Sequence, residues 1–115
     1  MINAINGWTK AKILKHIEDN FKGKSYYTNE DGWEDNCAYR MEDGRKCAVG
    51  MFIPDKDYRP AMEGMSASAI VNDYELYDKM PFEGEDLNMF QEVHDKSKPQ
   101  HAKRKLIKWI KENVV

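Results

Sequence analysis

The sequence predicts an α+β domain in which helices at both ends of the chain pack on a small three-stranded antiparallel sheet. Three observations predict it. Apolar residues recur at helical spacing near both ends, β-prone runs lie between them, and an Asp-Gly pair separates two of those runs. With 115 residues and 41% hydrophobic content, the chain can bury one core, so we expect a single domain over residues 1–115.

The first helix is predicted over residues 9–21. Its apolar side chains recur every three or four residues and form one stripe: Ile13, Leu14, Ile17 and Phe21. Thr9 or Asn6 is expected to cap its N-terminus, because a short polar side chain there accepts a backbone N–H. Gly23 follows the last periodic residue, as is typical of a helix end.

Three strands are predicted at 25–28, 34–41 and 45–53, and the short connections between them favour a meander. The last two strands flank the turn Glu42-Asp43-Gly44, where glycine tolerates a positive φ. A three-residue loop would pair Met41 with Arg45, whereas a two-residue loop would pair Arg40 with Cys47. Pro54 ends the third strand, since proline has no N–H to donate.

The second half of the sequence is predicted to be helical. Ser66 is expected to cap a short helix, and residues 76–84 to be irregular. Asp86 is expected to cap a helix over 87–96, and a last helix follows over 99–113. The predicted inward face of this last helix consists of Ala102, Leu106, Trp109, Ile110 and Asn113.

Charge is unevenly distributed along the sequence. The net charge of −2 is the sum of +3 over residues 1–28, −11 over 29–95 and +6 over 96–115. The basic side chains of the last helix could contact nucleic-acid phosphates: Lys103, Arg104, Lys105, Lys108 and Lys111. We favour a solvated helix face instead. The acidic block, conversely, could imitate nucleic acid toward a basic partner.

Cys37 and Cys47 are too far apart in sequence for the usual pairs of zinc ligands, with nine residues between them. We expect both to pack as small hydrophobic side chains, and we expect no metal ion or cofactor. No apolar run is long enough to span a membrane, and no export signal is visible. These features predict a cytoplasmic protein with free thiols.

Gln91, His94 and Asp95 share a polar edge of the predicted 87–96 helix. A histidine there could act as a general base if a carboxylate held its tautomer, but Asp95 is expected to point away from it. We therefore favour a histidine that hydrogen-bonds a neighbouring loop.

Four further polar residues are candidates for a site: Arg40, Asp55, Tyr58 and Glu63. Arg40 could hold a carboxylate or phosphate with two parallel hydrogen bonds. An internal ion pair with Glu63 or Asp55 is an equally good interpretation.

Several motifs together resemble a family of small, largely uncharacterised phage and bacterial proteins. The matching residues are Cys37-Ala38-Tyr39-Arg40, Asp43 to Gly50, Phe52 to Asp55, Tyr58, Met62-Glu63-Gly64, Gln91, His94 and Asp95. The resemblance covers residues 37–95 and implies that these motifs form one structural unit, with both terminal helices outside it. By analogy with small phage proteins, it also implies a counter-defence role against a host factor.

We therefore expect a non-enzymatic binding protein whose partner is a host protein or a small anionic ligand such as a nucleotide-type signal. The expected binding residues are Arg40, Asp55, Tyr58, Glu63, Gln91 and His94. The alternative is a small hydrolase with His94 as general base, assisted by Cys47 or Asp55. No complete catalytic set can be drawn from the sequence, so we rank binding first.

Overall fold

The computed structural model describes residues 1–26 and 38–115, and these residues are mostly helical. The α-helices are α1 (Lys10–Asn20), α2 (Ala67–Asp73), α3 (Gly84–Lys96) and α4 (Ala102–Asn113). Three single turns of 3₁₀-helix lie at Gly50–Phe52, Pro60–Met62 and Pro99–His101. The helices predicted from apolar spacing are confirmed to within a few residues.

Two of the predicted helix caps are confirmed and one is wrong. The Thr9 hydroxyl accepts the Lys12 N–H at 3.2 Å, and the Ser66 hydroxyl accepts that of Ala69 at 3.2 Å. Asp86 does not cap α3, because this helix begins at Gly84, with Glu83 at the N-cap position. Asp86 lies in the first turn, where a carboxylate complements the positive end of the helix dipole.

The predicted three-stranded sheet is wrong. Within the described residues, β-pairing is limited to two isolated bridges, Arg40 with Lys46 and Ile2 with Val114. The segment predicted as the third strand contains turns and the 3₁₀ turn at Gly50–Phe52. The predicted strands 25–28 and 34–41 lie partly outside the described residues, and their described ends are not extended strands.

The residues from Cys47 to Ile53 explain this error. Every one of them is buried, so the run has no alternation of exposed and buried side chains. A short apolar run of this kind is compatible with either a buried strand or a buried helical turn. Its backbone-to-backbone hydrogen bonds are local, from the Met51 N–H to the Cys47 carbonyl and from the Phe52 N–H to the Val49 carbonyl, and so it forms helical turns.

The predicted turn at Glu42-Asp43-Gly44 is confirmed in its three-residue form. The Gly44 N–H donates to the Met41 carbonyl at 3.1 Å, and the Met41 N–H donates to the Arg45 carbonyl at 2.9 Å. Gly44 has φ +93°, a conformation that favours glycine. The hairpin is only as long as this turn because the chain leaves extended geometry after Lys46.

The helices pack in the spatial order α2, α3, α4, α1. Their inner faces enclose one cluster of buried side chains, to which the turns at Cys47–Ile53 contribute seven consecutive residues. The ends of the chain meet, since the Ile2 N–H donates to Asn113 and the Val115 N–H donates to Ile2. Within the described ranges, no helix is long and apolar enough to cross a membrane.

Candidate functional site

The Glu63 carboxylate, which directly follows the 3₁₀ turn Pro60–Met62, accepts hydrogen bonds from several donors. Its Oε1 accepts the Tyr39 N–H at 2.8 Å, and its Oε2 accepts the Arg40 N–H at 3.2 Å. The Tyr58 hydroxyl donates to Oε2 as well. Because hydrogen bonds to a charged acceptor are stronger than neutral ones, Glu63 holds the segment at residues 39–40 against the 58–63 loop.

The Arg40 guanidinium is bound by other groups of the protein. It donates to the Ile53 carbonyl at 2.8 Å, lies 2.8 Å from the Asp55 carboxylate and stacks 4.6 Å above the Tyr58 ring. The side chain is only 19% exposed, and its buried Nε has no hydrogen-bond partner among the described residues. The internal ion pair with Asp55 therefore occupies the guanidinium edge that a bound phosphate would need.

Tyr58 is held in its neutral form by its surroundings. Burial and the neighbouring Glu63 carboxylate raise the Tyr58 pKa to about 12. Both effects disfavour a phenolate, one by removing water and the other by repulsion. Tyr58 is thus a hydrogen-bond donor in this cluster across the physiological pH range.

His94 lies on the buried face of α3 and is 0% exposed. Its Nε2 accepts the Ser25 backbone N–H at 3.2 Å, and its Nδ1 lies 3.0 Å from Asp95 Oδ1. A backbone N–H can only donate, so the neutral ring carries its proton on Nδ1 and donates it to Asp95. The prediction that Asp95 points away from His94 is wrong, whereas a histidine bonded to a neighbouring loop is what the structure shows.

Gln91, one turn earlier on α3, links this group to the segment after the hairpin turn. Its buried side-chain oxygen accepts the Val49 N–H at 3.0 Å, and its amide donates to Asp95 at 2.8 Å. A buried N–H at Val49 would otherwise lack a partner, because the local turns do not supply one. Gln91 thus fixes the 47–53 segment against α3.

The six residues predicted for the site therefore fall into two groups. Arg40, Asp55, Tyr58 and Glu63 form the first group, and Gln91 and His94, together with Asp95, form the second. Tyr39 lies between them: its N–H binds Glu63, and its side chain lines a groove together with Gln91. Tyr39 therefore connects the two groups through the protein interior.

The groove beside the second group has a volume of about 450 Å³. It is open to solvent and lined by Tyr39, Gly64, Met65, Ser66, Ala67, Asn88, Gln91, Glu92 and Asp95. Glu92 and Asp95 make its α3 wall acidic. An acidic wall repels phosphates and carboxylates and attracts cationic groups.

Sequence reasoning missed Ser25 and Tyr39, which complete both groups. Both act mainly through backbone atoms: Ser25 donates its N–H to His94, and Tyr39 donates its N–H to Glu63. Side-chain chemistry carries no signal for such contacts. The Ser25 hydroxyl also donates to the Ala38 carbonyl, which ties residues 25 and 38 together.

Cys47 is buried, and its sulfur accepts the Gly50 N–H at 3.3 Å. Cys37 lies outside the described residues. Across residues 1–26 and 38–115, no group of three His, Cys, Asp or Glu side chains is placed to hold a metal ion.

The basic face of α4 is partly neutralised by neighbouring carboxylates. Lys103 lies 3.1 Å from Glu18 of α1, and Lys108 lies 3.8 Å from Glu112. Exposed pairs of this kind are weak, so the face remains cationic.

Comparison of the chain with protein-family models, with curated proteins and with solved structures finds no match.

Proposed function

We propose that this chain is a binding protein that presents an acidic surface to a positively charged partner protein. The observation that carries the proposal is the separation of charge in space. Residues 67–96, which comprise α2, α3 and their connection, contain eight Asp and Glu against Lys79 and Lys96, a net charge of −6. These helices pack against each other, seven of the eight acidic side chains are exposed, and a groove of about 450 Å³ opens beside them.

The contacts of the candidate residues favour this reading over the binding of a small anion. Arg40 would have to break its ion pair with Asp55 and its hydrogen bond to the Ile53 carbonyl before it could bind a phosphate. The open groove offers carboxylates at Glu92 and Asp95, which repel an anion. A cationic surface of a partner protein meets neither obstacle.

The same contacts argue against the hydrolase alternative. To act as a base, His94 would have to give up the Ser25 N–H at Nε2, and it is buried away from any substrate. Cys47 and Asp55 are likewise occupied, by the Gly50 N–H and by Arg40. We therefore assign these residues to holding the loops on α3.

The resemblance described above supplies the biological setting of the proposal. A small phage protein with an acidic face would act in the host cytoplasm against a host factor whose natural ligand is negatively charged. A factor that binds nucleic acid is the clearest case, because its basic surface is complementary to carboxylates.

The test is affinity capture from bacterial host lysate with three versions of the immobilised chain. The first is wild type, the second carries Asp73→Asn, Asp78→Asn and Glu92→Gln, and the matched control carries Lys22→Gln, Lys98→Gln and Arg104→Gln. All six positions are exposed, so folding should be unaffected. We expect a basic protein that is captured by wild type and control, and lost with the acidic-face variant and in high salt.

Capture that is equal with all three versions, or a captured protein without a basic surface, would contradict the proposal. Turnover of a nucleotide or peptide by the wild type that is lost in a folded His94→Ala variant would instead restore the enzyme alternative.

A further inference from the structure

A second groove lies between α3 and α4 and shares only Glu92 with the acidic groove described above. It has a volume of about 290 Å³ and is lined by Met89, Glu92, Val93, Lys96 and Trp109. Met89 is 48% exposed, and Val93 and Trp109 are partly exposed, so the floor of the groove presents apolar surface to solvent. Apolar surface between two helices is typical of a helix-packing interface.

The two helices of this groove run antiparallel. A short connection at 97–101 joins them. The ring centroid of Trp109, in the second half of α4, lies 5.9 Å from that of Phe82, which precedes α3. The start of α3 is therefore beside the end of α4.

Charge changes sign along the groove. Near the connection lie the exposed cations Lys98 and Lys105, together with Lys96, which pairs with Glu92 of the groove wall. At the opposite end lie the exposed carboxylates Glu83 and Glu85, together with Glu112, which is 3.8 Å from Lys108. The apolar centre around Met89 separates them. Such a surface is complementary in charge to the same surface of a second copy whose groove runs in the opposite direction.

We propose that this chain forms a two-fold symmetric homodimer in which the α3–α4 groove of one copy packs on the same groove of the other. A two-fold axis that lies in the interface and crosses the groove at a right angle reverses the groove direction, so the cationic end of each copy meets the acidic end of the other. The apolar centres then meet at the axis. A partner with a single sign of charge would leave one end of the groove opposed by like charge.

The size of the face indicates the strength of the dimer. Helices of 13 and 12 residues are roughly 20 Å long, and two packed helices with side chains are roughly 20 Å wide. A face of roughly 400 Å² per copy is about half of a standard interface, which favours a weak dimer that dissociates on dilution. The acidic groove beside Tyr39 shares Glu92 with this face, but its other α3 residues, Asn88, Gln91 and Asp95, lie outside the proposed dimer contact.

The test is sedimentation equilibrium of the full chain over a wide concentration range. We expect a monomer–dimer equilibrium for wild type. Met89→Asp should raise the dissociation constant by at least about tenfold, because it places a carboxylate at the apolar centre. The two-fold places Glu85 of one copy opposite Lys96 of the other, so Glu85→Lys and Lys96→Glu, each alone, should raise it several-fold, and the double variant should return it close to the wild-type value.

Lys111→Glu is the matched control, since it makes the same charge change on the side of α4 that faces α1. It should leave the dissociation constant unchanged. Circular dichroism checks that each variant is folded. A wild-type chain that is monomeric at every soluble concentration would overturn the proposal, and so would a dimer that Met89→Asp leaves intact. Failure here would leave the acidic-surface proposal standing, because the lysate capture also depends on Asp73 and Asp78, which lie outside the α3–α4 groove.

Discussion

Replacing Glu63 by alanine tests whether one carboxylate holds the loop structure together. The substitution removes the acceptor for the Tyr39 and Arg40 N–H groups and for the Tyr58 hydroxyl. The backbone at position 63 is extended, so alanine fits without strain. The expected effect is therefore the loss of hydrogen bonds rather than a change of conformation at the site itself.

The expected loss of stability follows from the three hydrogen-bond donors that lose their acceptor in Glu63→Ala. A hydrogen bond to a charged group contributes about 1.5–3 kcal/mol, but Glu63 is half-buried, so water replaces part of the loss. For three donors we expect a decrease of about 3 kcal/mol in the free energy of unfolding. In a domain of this size that corresponds to a fall of about 10 °C or more in Tm.

Urea denaturation and amide hydrogen exchange measure this effect. Exchange at the Tyr39 and Arg40 amides should accelerate more than exchange in α4, because those two amides lose their direct acceptor. Glu42→Ala is the matched control, since Glu42 is an exposed carboxylate in the neighbouring turn. If Glu63→Ala costs no more stability than Glu42→Ala, the carboxylate does not hold the loops and our reading of this cluster is wrong.

Three further predictions concern the same framework. Gly50→Ala should destabilise the protein by more than about 3 kcal/mol in urea denaturation, because a Cβ there would lie 2.2 Å from the Tyr39 carbonyl oxygen. His94→Ala should cost about 3 kcal/mol, since it leaves a cavity and an unpaired N–H, whereas His101→Ala at a half-buried position should cost far less. The folded-state pKa of Tyr58, about 12, lies above its ordinary value of 10, so the neutral phenol stabilises the fold below pH 10. This stabilisation should be lost as the pH rises from 10 toward 12, and Tyr58→Phe should remove that part of the alkaline decline in denaturation curves.

The helices were predictable because their signals are local and redundant. Ile13 and Ile17 repeat at helical spacing, and Thr9 and Ser66 are good caps whatever the rest of the fold. The three-residue turn before Arg45 was predictable for the same reason, since Asp-Gly chemistry sets its geometry without help from distant residues.

The sheet prediction failed where the deciding contacts were distant in sequence. The run at 47–53 forms turns because Gln91 of α3 accepts the Val49 N–H, and because Gly50 lets the chain approach Tyr39 closely. The first contact leaves no trace in the run, and a glycine at position 50 does not reveal that Tyr39 is the residue that approaches it. The polar residues of the candidate site could be found by residue type, but their roles depend on backbone partners such as Ser25 that sequence patterns do not reveal.

The parallel bridge between Ile2 and Val114 determines how the protein would respond to a pulling force. Tension applied to the two ends of the chain would slide these segments past each other, because their directions are parallel and the force acts on opposite ends of the pair. The hydrogen bonds from Ile2 to Asn113 and from Val115 to Ile2 then bear the load together instead of breaking one after the other. In optical-tweezers experiments, the first force peak should therefore come from rupture of the Ile2–Val114 bridge, before any helix unfolds.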